Sequence, residues 1–575
     1  MKKYAKYPLF FGLLLIAVRQ FWPTQKNNKN IEKELNLALN TPVDGIDPAT
    51  NTSSCGGKLI GKIYEGLLEY HYLKKPYELI PSLAAAMPTI SEDGLTYTFT
   101  IKKGVYFHDN VCFPNGKGRE LTAEDFVYSF KRIADPAVRS PYFSLFVDYI
   151  KGIKAFNEHV TRHRGDYSYP IEGVKAIDSY TLQFTLTKQF PIFLHYLAQR
   201  CTSAVAKEAV EHYKDAFVSH PVGTGPFTLD YFNPQSNKIT FIKNKNFREK
   251  YYPTDASPAL QHMLGPAGKK VPFLDKITYY AIYESQPCWL QFKEHKIDCI
   301  EVVRAYVKQV FEHGALKQEL KQQGINLLEE TSTGIGFIGF NCLKKPLDNQ
   351  KLRQAMSLAF DRHAFNKLFA DNLGVIQPSF VPQSFVGYDA GLVNPYINYD
   401  LEKAKQYLAD AGYPNGKGLS VLTVNTSAMP EARMQLEFFA KCMDKIGIKV
   451  EIQQSTFPEL LKKLSRKDYL ISNLGWGADY PDAAYFFSDL RSKKGNGILM
   501  ENQPFNTLYD QAVQMADSPE KTVAYKQLNA MLVEIMPALL TPRLPKYMLV
   551  HKRVKNYVIA PYSHGAEQYI DIDLC

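Results

Sequence analysis

Apolar and polar positions alternate cleanly over residues 95–101, "LTYTFTI", and again over 180–186, "YTLQFTL". Each stretch predicts a half-buried strand. Between them the spacing becomes helical in "LTAEDFVYSFKRIAD", where Phe126, Phe130 and Ile133 share a face and Thr122 and Asp125 are spaced as a capping box. From about residue 348 the texture changes to amphipathic helices alternating with strands. Asp348 is placed to cap "NQKLRQAMSLAFDRHAFNKLF", and "DLEKAKQYLADAG" ends on Gly412, a good C′ residue. Helix 431–446, the strand "IKVEIQ", helix 458–466 and the strand "DYLISNLGW" follow in order. The first third therefore reads as strand-rich α+β and the later part as a βαβ-type sheet with packed helices, a mixed α/β chain. Trp476 and Asp479 fall just past the C-terminal end of a strand, where ligands of open α/β sheets tend to sit.

Two glycine-rich stretches change little. "PNGKG" occurs at 114–118 and 414–418 with unlike flanks, so it is turn chemistry used twice and not a domain repeat. "GIGFIG" at 334–339 matches a dinucleotide-binding pattern, but no helix opens after it and Pro346 follows, so it reads as a glycine-rich strand.

At 575 residues the chain is too long for one compact core and implies two or three domains. Its 45% hydrophobic and 22% charged content is ordinary for a globular protein. The net charge of +10 is spread along the chain, with no basic stripe interleaved with aromatics, so nucleic acid is not an expected partner. The N-terminus carries Lys2, Lys3 and Lys6 followed by an apolar stretch from Leu9 to Val18. That run is shorter than the ~20 residues a membrane span needs and fits a secretory signal over 1–25, cleaved or retained as an anchor. No cysteine follows it to carry a lipid. The eight cysteines form no CxxC, and most are expected as small buried apolar groups.

Candidate chemistry is sparse. His159 and His163 share a helical face, but Arg162 and Arg164 beside them would repel a cation. No nucleophile stands in a pattern with a base, so neither a catalytic site, a metal nor a cofactor is expected. What stands out is "NLGWGADYPDAAYFF", residues 473–487, with Trp476 between Gly475 and Gly477 and with Asp479 and Asp482 close behind. Two readings fit. Asp479 is an N-cap with Asp482 at N3, and Trp476 packs. Alternatively the glycines open the strand backbone to a ligand and Asp479 holds an ammonium group.

At this point the chain resembles the extracellular solute-binding proteins of family 5, which include the oligopeptide- and dipeptide-binding proteins of ABC permeases. The matching stretches run in family order: "GIDPATN", "KIYEGLLEY", "ISEDGLTYTFTIKKGVYFHD" with "LTAEDFVYSFKRIADP", "SPYFSLF", "HPVGTGPFTL", "GFNCLKKPLDNQKLRQAMSLAFDR", "AKQYLADAGYP" and "GWGADYPD". The resemblance implies a two-lobed clam-shell of the type II periplasmic-binding-protein kind with an extra small domain. Lobe one would comprise 30–70, 191–282 and 541–575, with the small domain at 71–190 and lobe two at 283–540. The hinge crossings would fall near Tyr280–Glu284 and Leu540–Pro542. It further implies that Asp479 takes a peptide's α-ammonium, that Trp476 lines a side-chain pocket, that Tyr142, Glu284 and Phe457 face the cleft, and that Ser54 pairs with the ligand backbone. Asn473 and Pro430 stand where relatives carry an arginine or histidine for the peptide carboxylate, and Arg433 is the nearby substitute. The implied protein is periplasmic, monomeric and partnered by a peptide and by the membrane subunits of an ABC permease. The same scaffold carrying a modified peptide, a metal chelate or haem is the alternative, and an exported hydrolase a remote one.

Overall fold

The computed structural model describes residues 32–574 apart from 44, 233–236 and 492–496. The expected export signal at 1–25 and Cys575 lie outside the described residues.

Three sheets organise the chain. The first has seven strands, in the order Ile325–Glu330, Lys546–His551, Cys299–Glu301, Glu34–Leu39, Lys276–Ala281, Lys238–Lys243 and Phe227–Phe232. The second has five, in the order Val450–Ser455, Leu422–Ser427, Ile471–Gly477, Gly334–Phe340 and Ala538–Thr541. A smaller sheet of four antiparallel strands spans Thr89–Ile90, Thr96–Thr100, Thr181–Thr185 and Val174–Asp178.

The small sheet follows from the alternation that announced it. Tyr97 and Phe99 point inward and face Phe184 and Leu182 across the ladder. The helix Ala123–Ala134 lays Phe126 and Phe130 into the same cluster, where Phe130 meets Phe184 edge-on at 5.1 Å. Each such ring removed from water contributes about 1.5–3 kcal/mol. The helix starts where Thr122 and Asp125 close a reciprocal capping box.

Other local features resolve by backbone conformation. "GIGFIG" lies within the strand Gly334–Phe340. Both "PNG" turns carry positive φ at Asn115 and Asn415 as well as at Gly116 and Gly416, which asparagine and glycine tolerate best. The helix expected after Asp348 is capped one residue later: Asn349 is extended and accepts the Leu352 amide. The helix Leu401–Asp410 ends as expected, with Gly412 at φ 92°. The rings of His159 and His163 lie 4.7 Å apart, tilted by 34°, but His159 is paired with Asp166 at 2.8 Å. Seven cysteines are described, and Cys55, Cys201, Cys299 and Cys442 are buried.

One expected boundary moves. Tyr280–Glu284 is not the first crossing between lobes. After the strand Lys276–Ala281 the chain forms the helix Ser285–Lys293 and returns to the same sheet as Cys299–Glu301 and Ile325–Glu330. Trp289, Phe292, Tyr306, Phe311 and Ile325 form one cluster there with Tyr547 and Leu549. Residues 283–330 therefore belong with the first sheet, and the chain passes to the second through 331–333 and back through 542–545.

Candidate ligand site between the lobes

The strand Ile471–Gly477 is paired along its whole length with Gly334–Phe340, with Trp476 opposite Ile335 and Gly475 opposite Gly336. On its other side the strand Leu422–Ser427 accompanies it only through Ile471 and Ser472. The ladder on that side stops where the glycine-flanked tryptophan approaches. Alternation sends Trp476 and Leu474 to one face and Asn473 to the other. Trp476 is half-buried and meets Phe337 edge-on at 4.6 Å. Asn473 is opposite Ile338, a residue of the second lobe's own core. A Cβ at Gly477 would meet no atom within 4 Å, whereas one at Gly475 would press on the Ile335 carbonyl at 3.3 Å.

Past the strand the two aspartates part company. Asp482 is buried and accepts the Ala484 amide at 2.7 Å, so it, and not Asp479, makes the local turn into the helix Ala484–Asp489. It also faces the buried ammonium of Lys521 at 3.5 Å. The capping alternative for Asp479 is thereby set aside. The reason is Tyr480, which is 5% exposed and anchors the chain between the aspartates. It stacks on His195 at 5.7 Å and meets Tyr196 edge-on at 5.6 Å. The helix cannot begin until the chain has passed that anchor.

Asp479 faces the cleft. Its carboxylate accepts a long bond from the Tyr485 hydroxyl at 3.4 Å, and among the described residues no lysine or arginine lies within ion-pair distance. The residue keeps an exposed face, yet the cleft walls desolvate its carboxyl and raise its pKa above the ordinary 3.8. The charge of Arg200 and the Tyr485 hydroxyl act in the opposite direction.

The facing wall comes from the first lobe. Gln199 donates its side-chain amide to the Asp479 carbonyl at 2.7 Å, across 280 positions of sequence. Arg200, next in the chain, is half-buried, and its charge acts on the Tyr142 hydroxyl, lowering its pKa against the larger effect of burial. Tyr142 is hydrogen-bonded to the Asn51 carbonyl, and burial pushes its hydroxyl up to about 12. The guanidinium lies on Gly57, in the helix Ser54–Ile63, where a Cβ would collide with it. Burial pushes the neighbouring Cys201 thiol up to about 12, and Tyr562, also within electrostatic range of Asp479, is raised by burial as well.

Asp479 and Tyr142 lie within electrostatic range of each other, with Trp476, Gly475 and Gly477 on the strand that leads to Asp479. Ser54 is exposed at the first position of the helix that carries Gly57. Glu284 and Phe457 are exposed at the starts of other helices, as the residue preceding Ser285–Lys293 and the first of Phe457–Ser465. Arg433 is engaged on its own surface by Glu437 and Gln454, each at 2.9 Å. Gln199, Arg200 and Tyr485 were not anticipated. The one signal for Arg200 is a lone cation in the largely apolar run "FLHYLAQRCTSAVA". His195, the ring against Tyr480, also lines a cavity of about 920 Å3 with Met87, Ile90, Tyr97 and Lys521. Neither Asp479 nor Trp476 lines that cavity, so charge and geometry define the site.

Two lobes meet over a carboxylate that has no cation at ion-pair distance among the described residues. The chain belongs to the bacterial extracellular solute-binding proteins, family 5 Middle, whose sequence model matches residues 78–497. It is 29% identical over 515 residues to the dipeptide-binding protein of Escherichia coli K12, covering 86% of each chain. It is 27% identical over 524 residues to heme-binding protein A of Haemophilus influenzae, covering 89% of this chain and 87% of that one. Among solved structures it is similar to the ABC transporter-associated periplasmic binding protein DppA of Helicobacter pylori in complex with the peptide STSA. That match has a TM-score of 0.72 at 25% identity and covers 94% of this chain and 98% of the other. The mixed α/β periplasmic-binding-protein fold expected from the sequence is the fold these structures share.

Proposed function

We propose that this chain is an exported, periplasmic receptor that captures peptides between its lobes and presents them to an ABC-type importer, with no chemistry of its own. The observation that carries this reading is Asp479. It is a partly desolvated carboxylate beside a strand end whose second neighbour stops short, and it faces the other lobe without a cation within ion-pair distance. A peptide supplies an ammonium for Asp479 and a backbone able to run beside the strand end. Closure on the ligand through the crossings 331–333 and 542–545 is the hinge motion that membrane subunits of a permease would read. The relatives' names support the reading, since one is a dipeptide-binding protein and one solved neighbour holds a peptide. The groups around Asp479 are tyrosines, an arginine and a glutamine, a set suited to holding a charged ligand.

Titration calorimetry with a peptide mixture is expected to show binding, weakened at least tenfold by Asp479→Ala; unchanged affinity would remove Asp479 from the site. The resemblance to heme-binding protein A supports a second reading, in which the same cleft carries a non-standard solute. Mass spectrometry of the co-purified ligand separates the two, and haem would also show its visible absorption.

A further inference from the structure

The resemblance to the family implies that a peptide carboxylate would be held at Asn473 and Pro430, and neither residue is a cation. Asn473 turns toward the second lobe's core, and Pro430 opens the helix Pro430–Asp444. The structure offers a different cation in a different lobe. Arg200 is half-buried at the cleft and has no carboxylate within ion-pair distance among the described residues. Its guanidinium lies against the backbone at Gly57, where the missing side chain leaves room for it, within electrostatic range of Tyr142. Of the groups near it, Lys62 is already paired with Glu567 at 2.5 Å, buried His564 is held neutral, and the Asp479 carboxylate is within electrostatic range but not at ion-pair distance. A planar donor fork fixed in place and short of an acceptor is the geometry that carboxylates take bidentately.

We propose that Arg200 takes the ligand's carboxylate, so that a short zwitterion with its ammonium on Asp479 ties the two lobes together. The assignment rests on the peptide-binding reading above and narrows it. The length limit follows from Gln199, whose side chain touches the Asp479 carbonyl at 2.7 Å and so holds the chain bearing Arg200 close to the chain bearing Asp479. An extended peptide lengthens by ~3.3–3.6 Å per residue. With the two segments held together, a short peptide is suited to place one terminus on each lobe, and every further extended residue adds to the span between its ammonium and its carboxylate.

The test uses the full chain and four pools spanning the common side chains: free dipeptides, the same dipeptides amidated at the C-terminus, the same N-acetylated, and free tetrapeptides. Retained ligand is measured by mass spectrometry for wild type, Arg200→Gln and Arg200→Lys, each first shown to unfold at its normal temperature. The expected result is that wild type prefers free over amidated dipeptides by at least tenfold. Arg200→Gln should lose that preference to within twofold, and Arg200→Lys should keep part of it. An amidation penalty equal in wild type and Arg200→Gln overturns the assignment, as does a wild-type preference for tetrapeptides. If N-acetylation leaves wild-type retention unchanged, the Asp479 reading fails, separately from Arg200. If wild type retains no peptide from any pool, the peptide reading falls and this inference with it.

Discussion

Asp479 and Asp482 are the same side chain three positions apart, on one loop, and the fold uses them in opposite ways. Asp482 is buried, accepts a backbone amide at 2.7 Å and sits 3.5 Å from a buried ammonium. Asp479 has a tyrosine hydroxyl at 3.4 Å and no cation at ion-pair distance among the described residues. The divider is Tyr480, whose ring is locked between His195 and Tyr196 of the first lobe. A carboxylate that completes a structure has its hydrogen bonds and counter-ion supplied by the chain. One that serves a ligand is left short of both, at some cost in solvation. The contrast separates scaffold from site without reference to sequence motif.

The sharpest way to break the comparison is to remove the structural aspartate. Asp482→Ala takes away the acceptor for the Ala484 amide and one of the two carboxylates around Lys521, leaving Asp517 at 2.8 Å. Removing one partner of a buried pair typically costs 3–5 kcal/mol, and the surviving Asp517 contact places the expected loss near about 3 kcal/mol. Denaturant unfolding of the ligand-free protein measures it. If Asp482→Ala keeps full stability but loses ligand, the roles assigned to the two residues are reversed.

The sequence carried part of this distinction. Period-2 and period-3.6 patterns located the strands at 96–100 and 181–185 and the helices after Thr122 and Asp400, because each element's burial is written in its own side chains. The strand leading to Trp476 was legible for the same reason. Two neighbouring carboxylates, each able to cap a helix, were not separable. What decides between them is the burial of Tyr480 by a ring 285 positions away in the other lobe, which no local spacing records. The crossing near 331–333 was missed for a related reason. Residues 283–330 have apolar spacing that would suit either sheet, and only their pairing with Lys546–His551 shows which one they join. Arg200 is brought to the cleft beside Gln199, whose bond to the Asp479 carbonyl joins segments remote in sequence, so no local pattern points to it.

A second, smaller effect sharpens the comparison from the other side. Asp479→Asn keeps the shape and removes the charge, leaving the Gln199 bond to the backbone carbonyl undisturbed. Ligand-free stability is expected to stay within about 0.5 kcal/mol of wild type, because the carboxylate makes no ion pair that the fold relies on. A stability loss comparable to that of Asp482→Ala would show that Asp479 is structural after all.

The finest test is pH. Because burial raises the Asp479 pKa, the free protein holds its proton at higher pH than an ordinary aspartate with its value of 3.8. An ammonium ligand needs the ionised form, so binding expels that proton and affinity falls as pH drops through the raised pKa, by up to about tenfold per pH unit. The ligand-free fold responds with the opposite sign at this group. A carboxyl whose folded pKa lies above its unfolded value binds more protons when folded, so its own contribution to stability improves on acidification. Few neighbours confuse the reading. Burial pushes Tyr142 and Cys201 up to about 12, Tyr485 and Tyr562 are raised as well, and burial with the charges of Arg200 and Lys62 pushes His564 down to about 3. His195, stacked on Tyr480, is also lowered by burial and stays neutral through the upper part of the range. Calorimetry of one peptide as the pH is lowered from neutral toward the ordinary carboxylate range should therefore show affinity declining at a higher pH in wild type than an ordinary aspartate would cause, and staying flat in Asp479→Asn. A decline of equal slope in both proteins would place the titrating group elsewhere and leave Asp479 indistinguishable from any other surface carboxylate.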